Sequence, residues 1–358
     1  MRKISTANLK PGIKLAKAVY SSKGGLIMPS GVQIQDAQIA RLLENGVSDV
    51  YIDDPRVSDI EIVEPIPDVT RIKAIKALRE AFQTVNTTGS MEKVDVGSLV
   101  KVSKEIHDEV VYNNPRIANL IEVKSRDDYL FVHAINVAIL SIIIARLSGL
   151  NANSYDICMG AFLKDIGMAL LPREVLDRPG PLTPEEQQKL RQHPDATVNL
   201  LKGVPEVTAF AKVVIAQHHE RLDGSGYPNC MKDAQIHALA KIMAIADTYT
   251  AMISDRPHRP KYRPFEAIEY IMSSAGFEFD HTLVDVFTKC TVPYPIGTMV
   301  RLSDGAKGVV VSLGRGLPTR PIVRLFNDAF GTDLGNGYDF NLSDERNQTV
   351  LIAEILDE

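Results

Sequence analysis

The chain has little with which to build a disulfide framework or a thiolate metal site. Its 358 residues hold three cysteines, Cys158, Cys230 and Cys290, far apart and without a CxxC pair. An odd, scattered set of thiols suits a reducing compartment, so a cytoplasmic location is expected. Charge of one sign is also lacking in excess: 40 basic and 45 acidic residues leave a net charge of -5. No global positive field attracts nucleic acid, and DNA is not an expected partner. The opening MRKISTANLKPG has no apolar core of signal-peptide length, and no internal repeat or low-complexity tract stands out. One apolar run, YLFVHAINVAILSIIIARLSGL at residues 129 to 150, is long enough to span a bilayer. His133, Asn136 and Arg146 interrupt it, and each is costly in lipid, so a helix buried in protein is expected and no membrane partner.

What is present divides by texture. Residues 1–67 read as a small α+β unit: KLAKAVYSS and GLIMPSGVQI are strand-like, AQIARLLENG is a short helix ending at Gly46, and VSDVYID is a strand. DDPRVSDIEIVEPIPDV, with three prolines, follows as a linker. Residues 68–124 form a helical connector and 125–290 the main helical domain. From 291 to 358 the pattern changes to short β-type runs, TMVRL, GVVVSL, PIVRLF and TVLIAEIL, which fit a small barrel-like extension. The fold class is mainly α, a helical core between a small α+β domain and a small β-rich unit. Within the core, Thr183 caps a helix, Pro184 suits its first position and Glu186 completes a capping box. The spacing predicts a helix from there to His193, where Pro194 interrupts it.

Several polar residues fall on apolar faces. In PEVTAFAKVVIAQHHER the stripe Val207, Phe210, Ala211, Val214 and Ile215 continues to His218, with His219 about 100° further round. Taken alone, His218 reads as a core histidine with a satisfied hydrogen bond before it reads as a ligand. In AQIHALAKIMAIADTYTAMIS the stripe Ile236, Leu239, Ala240 and Met243 runs into Asp247. A buried carboxylate needs a metal, dense hydrogen bonding or a structural arginine. His133 in the buried helix repeats the anomaly, as does Asp165 among Ala161, Phe162, Ile166 and Leu170, and His193 closes the capped helix. Together these histidines and aspartates are the ligand types of Mn, Fe, Ni or Zn in a hydrolytic site.

In this order the residues resemble the HD-GYP family, a branch of the HD metal-dependent phosphohydrolases, over roughly residues 120 to 290. HHERLDGSGYP, RPGPLTPEEQQKLRQHP, IADTYTAMISDRPHR and FEFDHTLV carry the resemblance. It implies an HD-type helical core and hydrolysis of cyclic di-GMP, a bacterial second messenger, to a linear dinucleotide or GMP. It further implies two divalent ions, Fe or Mn first and Ni or Zn as alternatives, held by His133, Asp165, His193, His218, His219 and Asp247. Asp165 and Lys164 stand at the catalytic HD pair, Tyr227 of Gly226-Tyr227-Pro228 borders the substrate pocket, and Arg256 and Arg259 match positions that hold phosphate.

The chain departs from the pattern where the family reads His-Asp-x-Gly-Lys. Here it reads Lys164-Asp165-Ile166-Gly167-Met168, so the HD histidine and the final lysine are both replaced. A protonated lysine has no lone pair for a metal. Either Lys164 is deprotonated or turned aside, leaving a weakened first metal on His133, Asp165 and Asp247, or its ammonium replaces that metal. The first allows impaired catalysis, and the second favours a catalytically inactive cyclic di-GMP receptor. Thr250 stands where an acid is frequent, His258 where tyrosine is common, and Tyr129 where some members carry a glutamate of a third metal site. The outer units resemble regions that flank this family. Relaying ligand state, dimerisation and binding a signalling partner stand beside a packing role for them.

Overall fold

The computed structural model describes all residues except 21–24, 61, 63, 114–119, 121–128, 177, 179, 255–260, 314–317 and 358. Two compact units emerge, Met1–Val63 together with Val292–Glu358, and Glu64–Thr291.

The first unit joins both ends of the chain. Its amino-terminal part contains β1 (Arg2–Ser5), β2 (Val19–Tyr20), β3 (Leu26–Met28), α1 (Asp36–Glu44) and β4 (Asp49–Ile52), with β1 antiparallel to β4 and β2 to β3. Gly46 follows α1 in the left-handed region at φ 69°, as a helix stop requires. The carboxy-terminal part is an antiparallel sheet of β5 (Met299–Leu302), β6 (Lys307–Ser312), β7 (Ile322–Asn327), β8 (Asp333–Asn341) and β9 (Ile352–Leu356), ordered β8-β7-β6-β5-β9. Strand β8, DLGNGYDFN, has a composition that disfavours strands, and its ladder with β7 holds it in place. The two parts share an apolar cluster in which Val57, Ile60 and Ile62 meet Met299, Val309 and Phe326. Arg324 adds ion pairs to Asp59 at 2.6 Å and Asp339 at 2.7 Å.

The second unit is helical: α2 (Asp68–Thr88), α3 (Val96–Asn113), α4 (Tyr129–Leu147), α5 (Ser154–Leu163), α6 (Arg173–Leu176), α7 (Pro184–Leu190), α8 (His193–Leu200), α9 (Ala209–Gln217), α10 (Ala238–Met252), α11 (Pro264–Ser273) and α12 (His281–Cys290). Helix α4 is long and apolar enough to cross a membrane, yet it packs against α2, α3, α5, α10 and α12 and is buried from Phe131 to Ala145. It is the centre of this core.

Three local expectations change. The capped helix α7 forms with both arms of its box, Glu186 N–H to Thr183 Oγ1 at 3.3 Å and Thr183 N–H to Glu186 Oε2 at 2.8 Å, but it stops at Leu190. His193 opens α8 and does not close α7: Pro194 sits in the first turn, where its missing N–H costs nothing. Asp165 lies on no continuous helix, because α5 ends at Leu163 and a 3₁₀ turn starts at Ile166. Helix α9 starts at Ala209 from its Thr208 cap, which leaves Phe210 48% exposed and off the apolar stripe.

Candidate metal centre

Five segments of the helical unit converge. His133 comes from α4, Lys164 and Asp165 from the turn after α5, His193 from the start of α8, His218 and His219 from the end of α9, and Asp247 from α10. Gly167 sets the spacing between the α5 turn and α8. A Cβ there would lie 2.6 Å from Thr197 N and Oγ1 and 2.7 Å from His193 O, so a larger residue would push the segments apart. Its N–H donates to Thr197 Oγ1 at 2.9 Å, and that hydroxyl donates to Lys164 O at 3.0 Å. Asp165 and His193 are thereby fixed side by side.

One half of the centre is a closed ionic network. The Lys164 side chain, in a residue only 1% exposed, donates to Asp165 Oδ2 and lies 2.8 Å from Asp247 Oδ1. His133 Nε2 is 3.0 Å from the same Asp247 oxygen, and its Nδ1 is 3.2 Å from Thr250 Oγ1. An ionised carboxylate only accepts, so His133 donates from Nε2, while the Thr250 hydroxyl that faces Nδ1 gives its one hydrogen to Ala246 O at 2.8 Å. Burial alone would raise both aspartates, but the Lys164 ammonium outweighs it and holds each well below the usual carboxylate range. Burial also tends to lower Lys164, and the two carboxylates reverse that, so it stays charged. His133 is lowered by burial first and by Lys164 second, and is neutral.

The other half is open. His193 Nδ1–H donates to Leu190 O at 2.7 Å, and His218 Nδ1–H donates to Ile215 O at 2.6 Å. A carbonyl only accepts, so Nδ1 carries a hydrogen in each ring and Nε2 turns inward, and the two Nε2 atoms stand 3.3 Å apart. Asp165 Oδ1 lies 3.3 Å from His193 Nε2, off hydrogen-bonding geometry, and has no hydrogen-bond partner among the described residues. Three acceptors facing one another without a donor call for a cation. A proton is a poor one, since burial and then the Lys164 charge push His218 down to about 3. Ligand atoms of His193, His218 and His219 lie within 4.8 Å of one another, and neutral imidazoles with a carboxylate fit a divalent transition ion. His219 falls just past the helix end, so its direction is set by the turn and not by helical rotation. Its Nδ1 is 3.7 Å from Asp247 Oδ2.

The turn beside the histidines is tied back onto the helix end. Glu220, 1% exposed, accepts Asn229 N–H at 2.7 Å and Met231 N–H at 2.9 Å, while Tyr227 N–H donates to His219 O at 3.1 Å. A Cβ on Gly226 would lie 2.5 Å from His219 O. Tyr227 consequently stacks on His219, with ring centroids 4.5 Å apart. The exposed Arg191 places its guanidinium 5.3 Å from the centroid of the Tyr227 ring. Arg191, the anchoring role of Glu220 and the two carbonyl partners are additions that the sequence reading missed. The only local signal for Arg191 is its place two residues before His193. Tyr129 stacks on His133 at 5.5 Å. Arg256, Arg259 and His258 lie outside the described residues.

Residues 116–283 match the HD domain family, and residues 299–358 match the KOW domain associated with HD domain. Residues 116–283 thus carry an HD domain. It is 29% identical over 336 residues to cyclic di-GMP phosphodiesterase PA4108 of Pseudomonas aeruginosa, covering 87% of this chain and 80% of that protein. It is 31% identical over 185 residues to 3'3'-cGAMP-specific phosphodiesterase 2 of Vibrio cholerae, covering 51% of this chain and 34% of that one. Bd1817, an HDG"Y"P protein of Bdellovibrio bacteriovorus with a solved structure, is similar at a TM-score of 0.46 and 16% identity, over 80% of this chain and 97% of that one. An HD domain implies dependence on divalent metal, which agrees with the histidine cluster.

Proposed function

We propose that this protein is a metal-dependent phosphodiesterase that hydrolyses cyclic di-GMP to a linear dinucleotide or GMP, with an altered first metal site. The observation that carries the reading is the pair of Nε2 lone pairs, 3.3 Å apart and fixed by two backbone carbonyls, beside the unpartnered Asp165 Oδ1. A divalent ion held by them supplies positive charge to a phosphoryl oxygen and lowers the pKa of water. His193 and His218 keep their lone pairs aimed through Leu190 O and Ile215 O. Lys164 holds the two aspartates apart and ionised. Tyr227, braced on His219, forms a wall for a nucleotide, and Arg191 at its outer face offers a cation to phosphate. Arg256 and Arg259 supply further phosphate contacts on the strength of the motif alone. Hydrolysis then adds water across one phosphodiester: a P–O bond to water forms, the ester P–O bond breaks, and the freed ribose oxygen takes a proton.

A catalytically silent receptor for cyclic di-GMP is the second reading, favoured by the buried Lys164 ammonium where the family motif carries histidine. Anaerobic incubation of the purified chain with Mn(II) or Fe(II) and cyclic di-GMP, with products resolved by chromatography and His218→Ala as control, separates the two. Product that disappears in the control supports the enzyme. Bound metal and bound nucleotide without product leave the receptor standing. Because the Vibrio relative is named for 3'3'-cGAMP, that nucleotide belongs in the same assay as an alternative substrate.

A further inference from the structure

We infer that Lys164 is a resident cation standing in for the first metal ion, so that each chain loads a single divalent ion, at His193, His218, His219 and Asp165. This rests on the metal-dependent reading above and goes beyond it by assigning stoichiometry and place.

Geometry and hydrogen count both carry the inference. The Lys164 Nζ occupies the space between Asp165 Oδ2 and Asp247 Oδ1, two of the oxygens a first ion would need. The third donor, His133, spends its Nε2 hydrogen on Asp247, so that nitrogen offers no lone pair to an ion. An incoming divalent ion would meet an ammonium within contact distance, and like charges at that range repel strongly in a poorly solvated site. Lys164 has no ready route to water: the residue is 1% exposed, and its backbone carbonyl is held by Thr197. Nor does neutral lysine help, since it would leave two buried carboxylates without their cation.

Asp165 divides its oxygens between the halves. Its Oδ2 belongs to the ammonium, while its Oδ1 stays unpartnered on the side of His193. One carboxylate thus joins a cation supplied by the chain to a cation that must be taken from solution. The ammonium contributes charge and hydrogen bonds, but it cannot lower the pKa of a bound water as a divalent ion does. All of that chemistry falls to the ion on the imidazole side.

The test is metal content with an independent spectroscopic signature. The full chain, Lys164→His, Lys164→Gln and His218→Ala are loaded anaerobically with Mn(II), desalted, and measured by inductively coupled plasma mass spectrometry and electron paramagnetic resonance. About one ion per wild-type chain with an isolated-ion signal is expected, and a strong loss in His218→Ala. Content rises toward about two, with an exchange-coupled signal, in Lys164→His, which restores an imidazole donor, and to a lesser degree in Lys164→Gln, which removes the ammonium. Two ions in the wild type, a single ion retained in His218→Ala, or one ion in both Lys164 variants with native circular dichroism would each overturn the inference while leaving metal dependence intact. No ion in the wild type would overturn the metal-dependent reading itself, and this inference with it. If neither Lys164 variant folds, the wild-type stoichiometry and the His218→Ala loss still decide.

Discussion

The two halves of the centre use the same residue types, histidine and aspartate, and differ in whether the chain supplies the positive charge. Around Lys164 the chain supplies the cation: the ammonium meets two carboxylates, and His133 donates to one of them. Around His193 and His218 the contacts stop one partner short, with two lone pairs and Asp165 Oδ1 turned toward the same space. A count of histidines and aspartates cannot tell these halves apart. The direction of each hydrogen can, and backbone carbonyls of Leu190 and Ile215 set it.

That difference predicts opposite responses to mutation in metal-free protein. Asp247→Ala should cost about 3–5 kcal/mol, because it leaves Lys164 short of a carboxylate and His133 without its acceptor. His218→Ala removes one member of an unfavourable pair of facing lone pairs, so its loss of packing is partly offset and its cost stays near 1–2 kcal/mol. Urea unfolding of both variants in chelator measures this, and equal costs would erase the distinction between the halves. Gly167→Ala comes next, at about 1–3 kcal/mol, since its methyl meets backbone atoms of Thr197 and His193 that cannot rotate away. It should also weaken Mn(II) binding by separating Asp165 from His193. Stability loss with unchanged affinity would show that the spacing does not matter to the metal.

How legible this was in the sequence depends on the range of each interaction. His133, His218 and Asp247 sit on apolar helical stripes, and burial follows from spacing alone. His193 was placed at the end of α7 and opens α8 instead, because a proline after it reads equally well as a helix end or a first turn. The i−3 carbonyl partners of His193 and His218 are short-range and were open to discovery in principle. The meeting of Lys164 with Asp247 joins segments 83 residues apart (247 − 164), and only packing around α4 brings it about. The same holds for Val57, Ile60 and Ile62 finding Phe326 across the length of the chain. Strand β8 was invisible because Gly335, Gly337 and its Asn and Asp residues carry no strand signal, and the ladder with β7 overrides them.

A smaller effect tests the outer edge of the open half. Arg191→Ala should weaken cyclic di-GMP binding about tenfold, close to 1.4 kcal/mol, while leaving metal content unchanged, because the guanidinium faces Tyr227 and no proposed ligand. Isothermal titration with metal-loaded protein measures it. Unaltered affinity would remove Arg191 from the nucleotide site, and lost metal would show that it positions His193.

The smallest expected effect comes from a carboxylate in the other unit that is closed on both oxygens. Asp54 accepts from Arg2 at 2.9 Å and from Arg56 at 2.8 and 3.1 Å. Burial pushes its carboxyl up, but the hydrogen bonds from Arg56 and then Arg2 outweigh this and lower it from 3.8 to about 2. A group whose folded value is depressed stabilises the fold above its unfolded value, so this contribution is present above about pH 4 and fades as pH falls toward about 2. With solvent screening it amounts to about 1 kcal/mol. Unfolding midpoints of wild type and Asp54→Asn between pH 5 and pH 2 should converge as the acid limit is approached. Parallel curves would mean that Asp54 is not held ionised by its arginines. A carboxylate with both oxygens satisfied, such as Asp54, affects stability alone, whereas Asp165, with one oxygen unpartnered, should affect stability and metal content together.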